Sequence, residues 1–442
     1  GEGCYYDSDV IAGTQDAASV TALTTAQLKT WGAAYQLNGG AAGGAQTGNI
    51  AGMSTWTWTT GNYPTLIARN AAGAATATMS KPADWSDVGV WVDTFNPSTT
   101  DPLVKFKPAA ASELSITTPE ALAWWAYKVN TTPDETYGGV QFNASKAKLS
   151  EGAVYDLTGT LYGGSLANND DPNAAADPWA AAQTKYANAL TWVPIGSNAK
   201  GALTLDGSHA RIENMAAGTT TSALGEVSGF FGAVKSLTSS NVSVNGCAVS
   251  SNIAGGLAGY IDSNSSYGLN VIGCASSVVV ESTANSTSNR IAAGGLIGLF
   301  GSSGHIRSCA NFGAVRAAKN AAGGLVGRFG DQYEYEITDC YNAGTIVGNR
   351  AAGFIGDYSG GRKLANCYSA GSVEGTAASG AFWADTTSRA TAANCYYDSD
   401  VVVASSGGTL VDAAKAGITA KTSADFASGE VAWLLDTADD AG

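Results

Sequence analysis

The sequence predicts an all-β fold: a right-handed parallel β-helix (β-solenoid) with short capping helices and a small N-terminal β-rich segment. Three observations predict it. First, a phrase of glycine, large apolar residue, apolar residue and glycine returns about every 27 to 39 residues. It reads Gly229-Phe230-Phe231-Gly232, Gly256-Leu257-Ala258-Gly259, Gly295-Leu296-Ile297-Gly298, Gly324-Leu325-Val326-Gly327 and Gly353-Phe354-Ile355-Gly356, with a degraded copy at Gly380-Ala381-Phe382-Trp383. Second, a phrase centred on Cys247, Cys274, Cys309, Cys340, Cys367 and Cys395 follows each opening glycine by 14 to 18 residues. Third, glycine at both ends of an apolar pair is poor helix sequence, whereas it tolerates the positive φ and tight bends expected where a strand turns a corner. A fixed period means stacked units, each too small to bury its apolar face alone. Two phrases per period mean at least two strands per unit, and the hand is the one usual in β-helices.

The elements follow in chain order. Residues 1–67 read as the tail of a preceding module, because Gly3-Cys4-Tyr5-Tyr6-Asp7-Ser8-Asp9-Val10 nearly duplicates Asn394-Cys395-Tyr396-Tyr397-Asp398-Ser399-Asp400-Val401. The likeness extends to Thr25-Ala26-Gln27-Leu28 and Ala34-Tyr35-Gln36-Leu37, echoed by Ser423-Ala424-Asp425-Phe426 and Ala432-Trp433-Leu434-Leu435, both read as short helices closing a module. Residues 68–112 carry four prolines and one strand-like run, Val88-Gly89-Val90-Trp91-Val92, and read as a linker or small β piece. The main module, 113–436, opens with Thr117-Thr118-Pro119-Glu120, a strong helix start, and the helix over 118–128 is expected to plug the end of the stacked core. Strand-like pieces then fall at 153–157, 191–196, 202–207 and 210–215, interrupted by an insertion over about 167–189 that leaves one face of the stack.

Composition narrows the partners. Of 442 residues only 14% are charged and the net charge is −14, a poor match for nucleic acid or anionic lipid. No run of about 18 apolar residues predicts a membrane span. Equivalent residues of stacked parallel strands lie ~4.8 Å apart, too far for disulfides, which need Cβ atoms near ~3.8 Å. The cysteines are therefore expected as a ladder of buried free thiols.

On these phrases, with Trp192-Val193-Pro194-Ile195-Gly196 and Asp206-Gly207 ahead of them, the chain resembles the GLUG-motif family of bacterial secreted and surface proteins. The resemblance covers roughly 113–436, and 3–67 as the end of a neighbouring module. It implies a secreted or cell-surface, non-catalytic module for adhesion or for presenting a ligand on a rigid stalk. The expected partner is a host or cell-surface glycan or a protein ligand, with no nucleic acid and no membrane insertion. Two alternatives stand beside it: a carbohydrate-active lyase or glycoside hydrolase on a β-helix scaffold, and the accessory region of a secreted peptidase.

Candidate chemistry is sparse. Asp331, Glu334 and Glu336 cluster in one loop and form a candidate binding patch. Asp170 and Asp171, and Asp398 and Asp400 with their twins Asp7 and Asp9, are oxygen-rich enough for a Ca²⁺ hypothesis but lack EF-hand spacing; turn formation is the plainer reading. His209 and His305 have no partner at metal-ligand spacing, and no serine lies in a nucleophile-elbow phrase. Most tryptophans lie in strand or cap contexts that favour burial.

Overall fold

The structure is a computed structural model that describes residues 5–11, 21–37, 56–59, 61–66, 82–95, 107–197, 201–222, 225–262, 268–286, 291–301, 303–330, 335–357, 361–385, 389–402 and 409–439. Strands dominate it. A 22-stranded sheet and a five-stranded sheet carry the repeats, and their strands pair in parallel with the equivalent strand of the next repeat. One line of rungs runs Val271, Ile306, Ile337, Leu364, Ala392. Others run Val280, Val315, Ile346, Val373 and Ala254, Ala293, Ala322, Ala351. The five-stranded sheet stacks the apolar pair of each glycine phrase: Phe231, Ala258, Ile297, Val326, Ile355. These lines converge on one buried apolar cluster.

The glycines act differently from expectation. The left-handed corner of each repeat is the residue before the ladder cysteine: Gly273, Ser308, Asp339, Asn366 and Asn394, with φ of 63°, 52°, 57°, 56° and 52°. Short polar side chains tolerate that conformation. The phrase glycines are needed for close approach instead. A Cβ on Gly324 would lie 2.0 Å from the Gly353 carbonyl oxygen and 2.4 Å from Asn342 Oδ1.

Below those glycines runs a buried polar line. Asn311 Nδ2 donates to Asn342 Oδ1 at 2.9 Å and to the Gly313 carbonyl at 2.9 Å, while Gly313 N donates to Asn311 Oδ1 at 3.2 Å. Each amide thus pairs with its own turn and its neighbour's, which a buried polar group requires.

The thiols Cys274, Cys309, Cys340, Cys367 and Cys395 are free and buried. Cys274 N donates to Cys309 Sγ at 3.4 Å, Cys309 N to Cys340 Sγ at 3.3 Å, and Cys367 pairs with Cys395 in register. Cys247 departs from the expected ladder. It pairs with Val279 and packs under the insertion, and the position following the left-handed Asn241 belongs to Val242.

The insertion folds as a helix, Pro178–Tyr186, capped by Asp177 Oδ1 accepting from Ala180 N at 3.1 Å. Trp179 Nε1 donates to the Val280 carbonyl at 3.1 Å, and the Arg316 guanidinium lies 4.3 Å from the indole centroid. Asn173 Nδ2 donates to the Ser277 carbonyl and Asn173 Oδ1 accepts from Ala314 N, at 3.0 and 2.9 Å. The insertion is therefore strapped across three repeats' worth of strand.

At the N-terminal end, helix Pro119–Thr131 starts on the Thr118 cap and buries Trp124 and Trp125 completely. Trp125 stands edge-on to Phe231 at 6.2 Å and donates to Ser145 Oγ at 2.8 Å. The run 88–92 is not a strand. It lies within helix Trp85–Phe95, whose Trp85, Val88, Val92 and Phe95 form one buried face. Gly89 allows the close crossing with the capping helix, since a Cβ there would lie 2.6 Å from the Ala123 carbonyl oxygen.

Among the described residues the phrase at 380–383 has no successor strand in the five-stranded sheet, and a carboxylate takes its place. Asp412, fully buried, accepts from Ala381 N, Phe382 N and Trp383 N at 2.8, 2.7 and 2.9 Å. In earlier repeats the corresponding amides donate to the next phrase, as Leu325 N does to the Phe354 carbonyl at 3.0 Å.

Candidate binding site

After the ladder cysteines come a buried Ala310 and the partly exposed Tyr341, Tyr368 and Tyr396. These four are rungs of one line. Tyr341 and Tyr368 stack with centroids 4.8 Å apart and planes within 6°, and Phe312, 42% exposed, stands edge-on to Tyr341 at 5.3 Å. Partial burial pushes the Tyr368 phenol up to about 12 and raises that of Tyr341. Both remain neutral donors near pH 7.

The left-handed corner residues border this aromatic strip. Asn366 Nδ2 donates to Asp339 Oδ1 and Asn394 Nδ2 donates to Asn366 Oδ1, both at 3.2 Å. Helices Ser423–Ala427 and Glu430–Asp439 lie over the strip, with Phe426 5.8 Å from Tyr368. Between them is a cavity of about 410 Å³, lined by Tyr341, Tyr368, Phe426, Leu435, Asp339 and Asp436 among others. Flat apolar faces beside fixed amide and carboxylate groups match the two aspects of a sugar ring, its C–H face and its hydroxyl edge. Two carboxylates from different elements, Asp339 and Asp436, line the same cavity.

Of the candidate patch of the sequence only Glu336 is described, and it does not line this cavity. Asp331 and Glu334 fall outside the described residues. Glu336 is a rung between His305 and Lys363; it accepts from Lys363 Nζ at 2.9 Å and lies 3.3 Å from His305 Nδ1. The Lys363 ammonium, foremost, holds its carboxyl below the usual range. Other repeat carboxylates are also paired: Glu281 with Arg316 at 2.6 Å, and Asp357 with both Arg328 and Arg350.

The oxygen-rich pairs serve helix starts and turns. Asp398 Oδ2 accepts from Ser423 Oγ at 2.7 Å and Asp400 Oδ2 from Ser423 N at 2.9 Å. Asp171 Oδ1 accepts from Asn173 N at 3.0 Å, and the Asp170 carbonyl accepts from Lys185 Nζ at 2.9 Å. Among the described residues no group of three or more His, Cys, Asp or Glu side chains is placed to hold a metal ion. No described helix is long and apolar enough to cross a membrane. The aromatic strip was missed in the sequence, although tyrosine after cysteine in successive copies, Cys340-Tyr341 and Cys367-Tyr368, is its signal.

No family model matches the chain, and no curated protein matches it. Among solved structures it is similar to one from Bacteroides ovatus named a "putative immunoglobulin A1 protease", with 19% identity and a TM-score of 0.45 over 80% of this chain and 93% of that one. A likeness at that level carries no argument about function.

Proposed function

We propose that the repeats wind as a right-handed parallel β-helix and that the chain is a non-catalytic, extracellular adhesion or ligand-presenting module of the GLUG-motif kind, gripping a glycan. The observation that carries this reading is the stacked pair Tyr341–Tyr368, bordered by Asp339 and Asn366. Ladders of paired strands hold these groups at fixed spacing, so binding orders few side chains. A glycan array read with the intact chain tests it: reproducible binding that falls at least about fivefold in both Tyr341→Ala and Tyr368→Ala supports the reading, since packing against one aromatic ring is worth roughly 1 kcal/mol. Unchanged binding in both variants refutes this site.

A carbohydrate-active enzyme is the second reading, favoured by Asp339 and Asp436 lining one cavity. Product analysis on the same glycans distinguishes it. Cleavage abolished by Asp339→Asn and Asp436→Asn would replace the adhesive reading.

A further inference from the structure

The chain contains the same closing unit twice, and its two copies are covered differently. In the first, strand Tyr5–Asp7 pairs in parallel with Thr21–Leu23; in the second, Tyr396, Tyr397 and Asp398 pair with Thr419, Ala420 and Lys421. Asp7 Oδ2 accepts from Thr25 Oγ1 at 2.7 Å and Asp9 Oδ2 from Thr25 N at 2.8 Å, matching Asp398 and Asp400 on Ser423 at 2.7 and 2.9 Å. Both helices open with a capping box, Thr24 with Gln27 and Thr422 with Asp425. Counting on from those caps, Tyr35 corresponds to Trp433, and the strand register, Tyr5 on Thr21 and Tyr396 on Thr419, makes Tyr5 the counterpart of Tyr396.

In the first copy this outer face is occupied. Trp91 meets Tyr35 edge-on at 5.1 Å, Tyr162 meets it at 6.0 Å, and Phe95 meets Tyr5 at 5.6 Å. Tyr35 is consequently only 7% exposed, whereas Trp433 is 63% exposed. Gly32 is matched by Glu430, whose carboxylate is drawn aside by Lys421 Nζ at 2.5 Å. A Cβ at Gly32 would lie 2.8 Å from Trp91 Cβ, so a helix laid over Glu430 must stand further out than Trp85–Phe95 does over Gly32, at a distance that suits the larger indole of Trp433 better than a phenol ring.

We propose that the outer face of helix Glu430–Asp439, centred on Trp433, is a docking surface for the start of a second 82–439 unit joined in tandem. The incoming helix is the counterpart of Trp85–Phe95, with the counterpart of Tyr162 beside it. The contact is head-to-tail, the end of one unit on the start of the next, and so it propagates along a chain of units.

The test compares two proteins. One is the chain itself; the other is a tandem in which residues 1–437 are followed directly by residues 40–442, so that the first unit's Trp433 takes the place of the second unit's missing Tyr35. Hydrogen exchange over the second unit's Trp85–Phe95 helix is the readout, with Tyr35→Ala in the single chain setting the scale. In the single chain Trp433→Ala leaves exchange and melting unchanged. In the tandem the first unit's Trp433→Ala speeds exchange in that helix by about tenfold, the scale of one lost aromatic packing contact. Equal, small effects of Trp433→Ala in both proteins overturn the proposal, and so does a second unit whose helix stays unprotected with Trp433 intact.

Discussion

Replacing Asp412 should open the C-terminal end of the repeats. Its two carboxylate oxygens accept from three consecutive buried amides, Ala381 N, Phe382 N and Trp383 N, and the side chain is fully buried. Stranding a buried donor costs about 1–3 kcal/mol, and bonds to an ionised acceptor are the stronger ones. Alanine removes every acceptor and admits some water in return, so Asp412→Ala should cost about 4 kcal/mol locally. Asparagine keeps one oxygen but turns an N–H₂ towards an N–H, for about 2 kcal/mol. Burial is the largest influence on this carboxyl and holds it above its ordinary 3.8 despite the amide donors. The folded chain therefore keeps that proton more tightly than the unfolded chain, and wild-type stability falls as pH rises from 3.8 through the folded value. Asp412→Asn lacks that slope. Hydrogen exchange of amides 381–383, with urea unfolding followed between pH 3.5 and 7, measures both effects. Protected amides in Asp412→Ala, or a stability change under about 0.5 kcal/mol, would refute the end-plug argument.

Other expectations follow from the same geometry. Gly324→Ala drives a Cβ to 2.0 Å from the Gly353 carbonyl oxygen and should cost about 1–3 kcal/mol or more by overpacking, read as a lower urea midpoint. In a Cys4→Ser variant, which removes the one thiol outside the described residues, Ellman's reagent should find the native chain nearly silent at pH 8 and all six thiols reactive in guanidinium. Burial pushes Cys247 up to about 12 and raises Cys367, while a neighbouring thiol, with burial, raises Cys274; the Cys367 hydrogen bond lowers Cys395, which is kept from the reagent by its complete burial. Trp179→Ala removes the bond to Val280 and the platform under Arg316; a loss of about 3–5 kcal/mol there should appear as selective protease cutting within 163–190, with the repeats left intact.

Periodicity carried the strand architecture because stacking imposes one apolar pair and one turn on every copy, and both leave marks at fixed spacing. The helix over Trp85–Phe95 was harder to see. Val88-Gly89-Val90-Trp91-Val92 alternates like a strand, and only the longer spacing of Trp85, Val88, Val92 and Phe95 shows the face that the capping helix selects. Cys247 misled because spacing alone was matched, whereas the structural mark is the left-handed residue one place earlier, Asn241 before Val242. The candidate site depended on side chains meeting across elements. Tyr341 and Tyr368 share a rung line with a recognisable phrase, but nothing local to Phe426 or Asp436 announces that they close over it. Asp412 was equally silent, an acidic residue in an unremarked turn 29 positions beyond Trp383.

The aspartate that ends the ladder also bears on how such a chain changes length over evolutionary time. Beyond the repeats that the insertion straps, each rung recognises only its immediate neighbours, so duplicating or deleting one period there alters reach without redesigning any contact. The terminator is different, because it is encoded downstream of the copy it serves and acts on whichever copy comes last. Copy number can drift while the closing carboxylate stays in place, and the exposed amides of a growing end are never left to recruit a foreign strand.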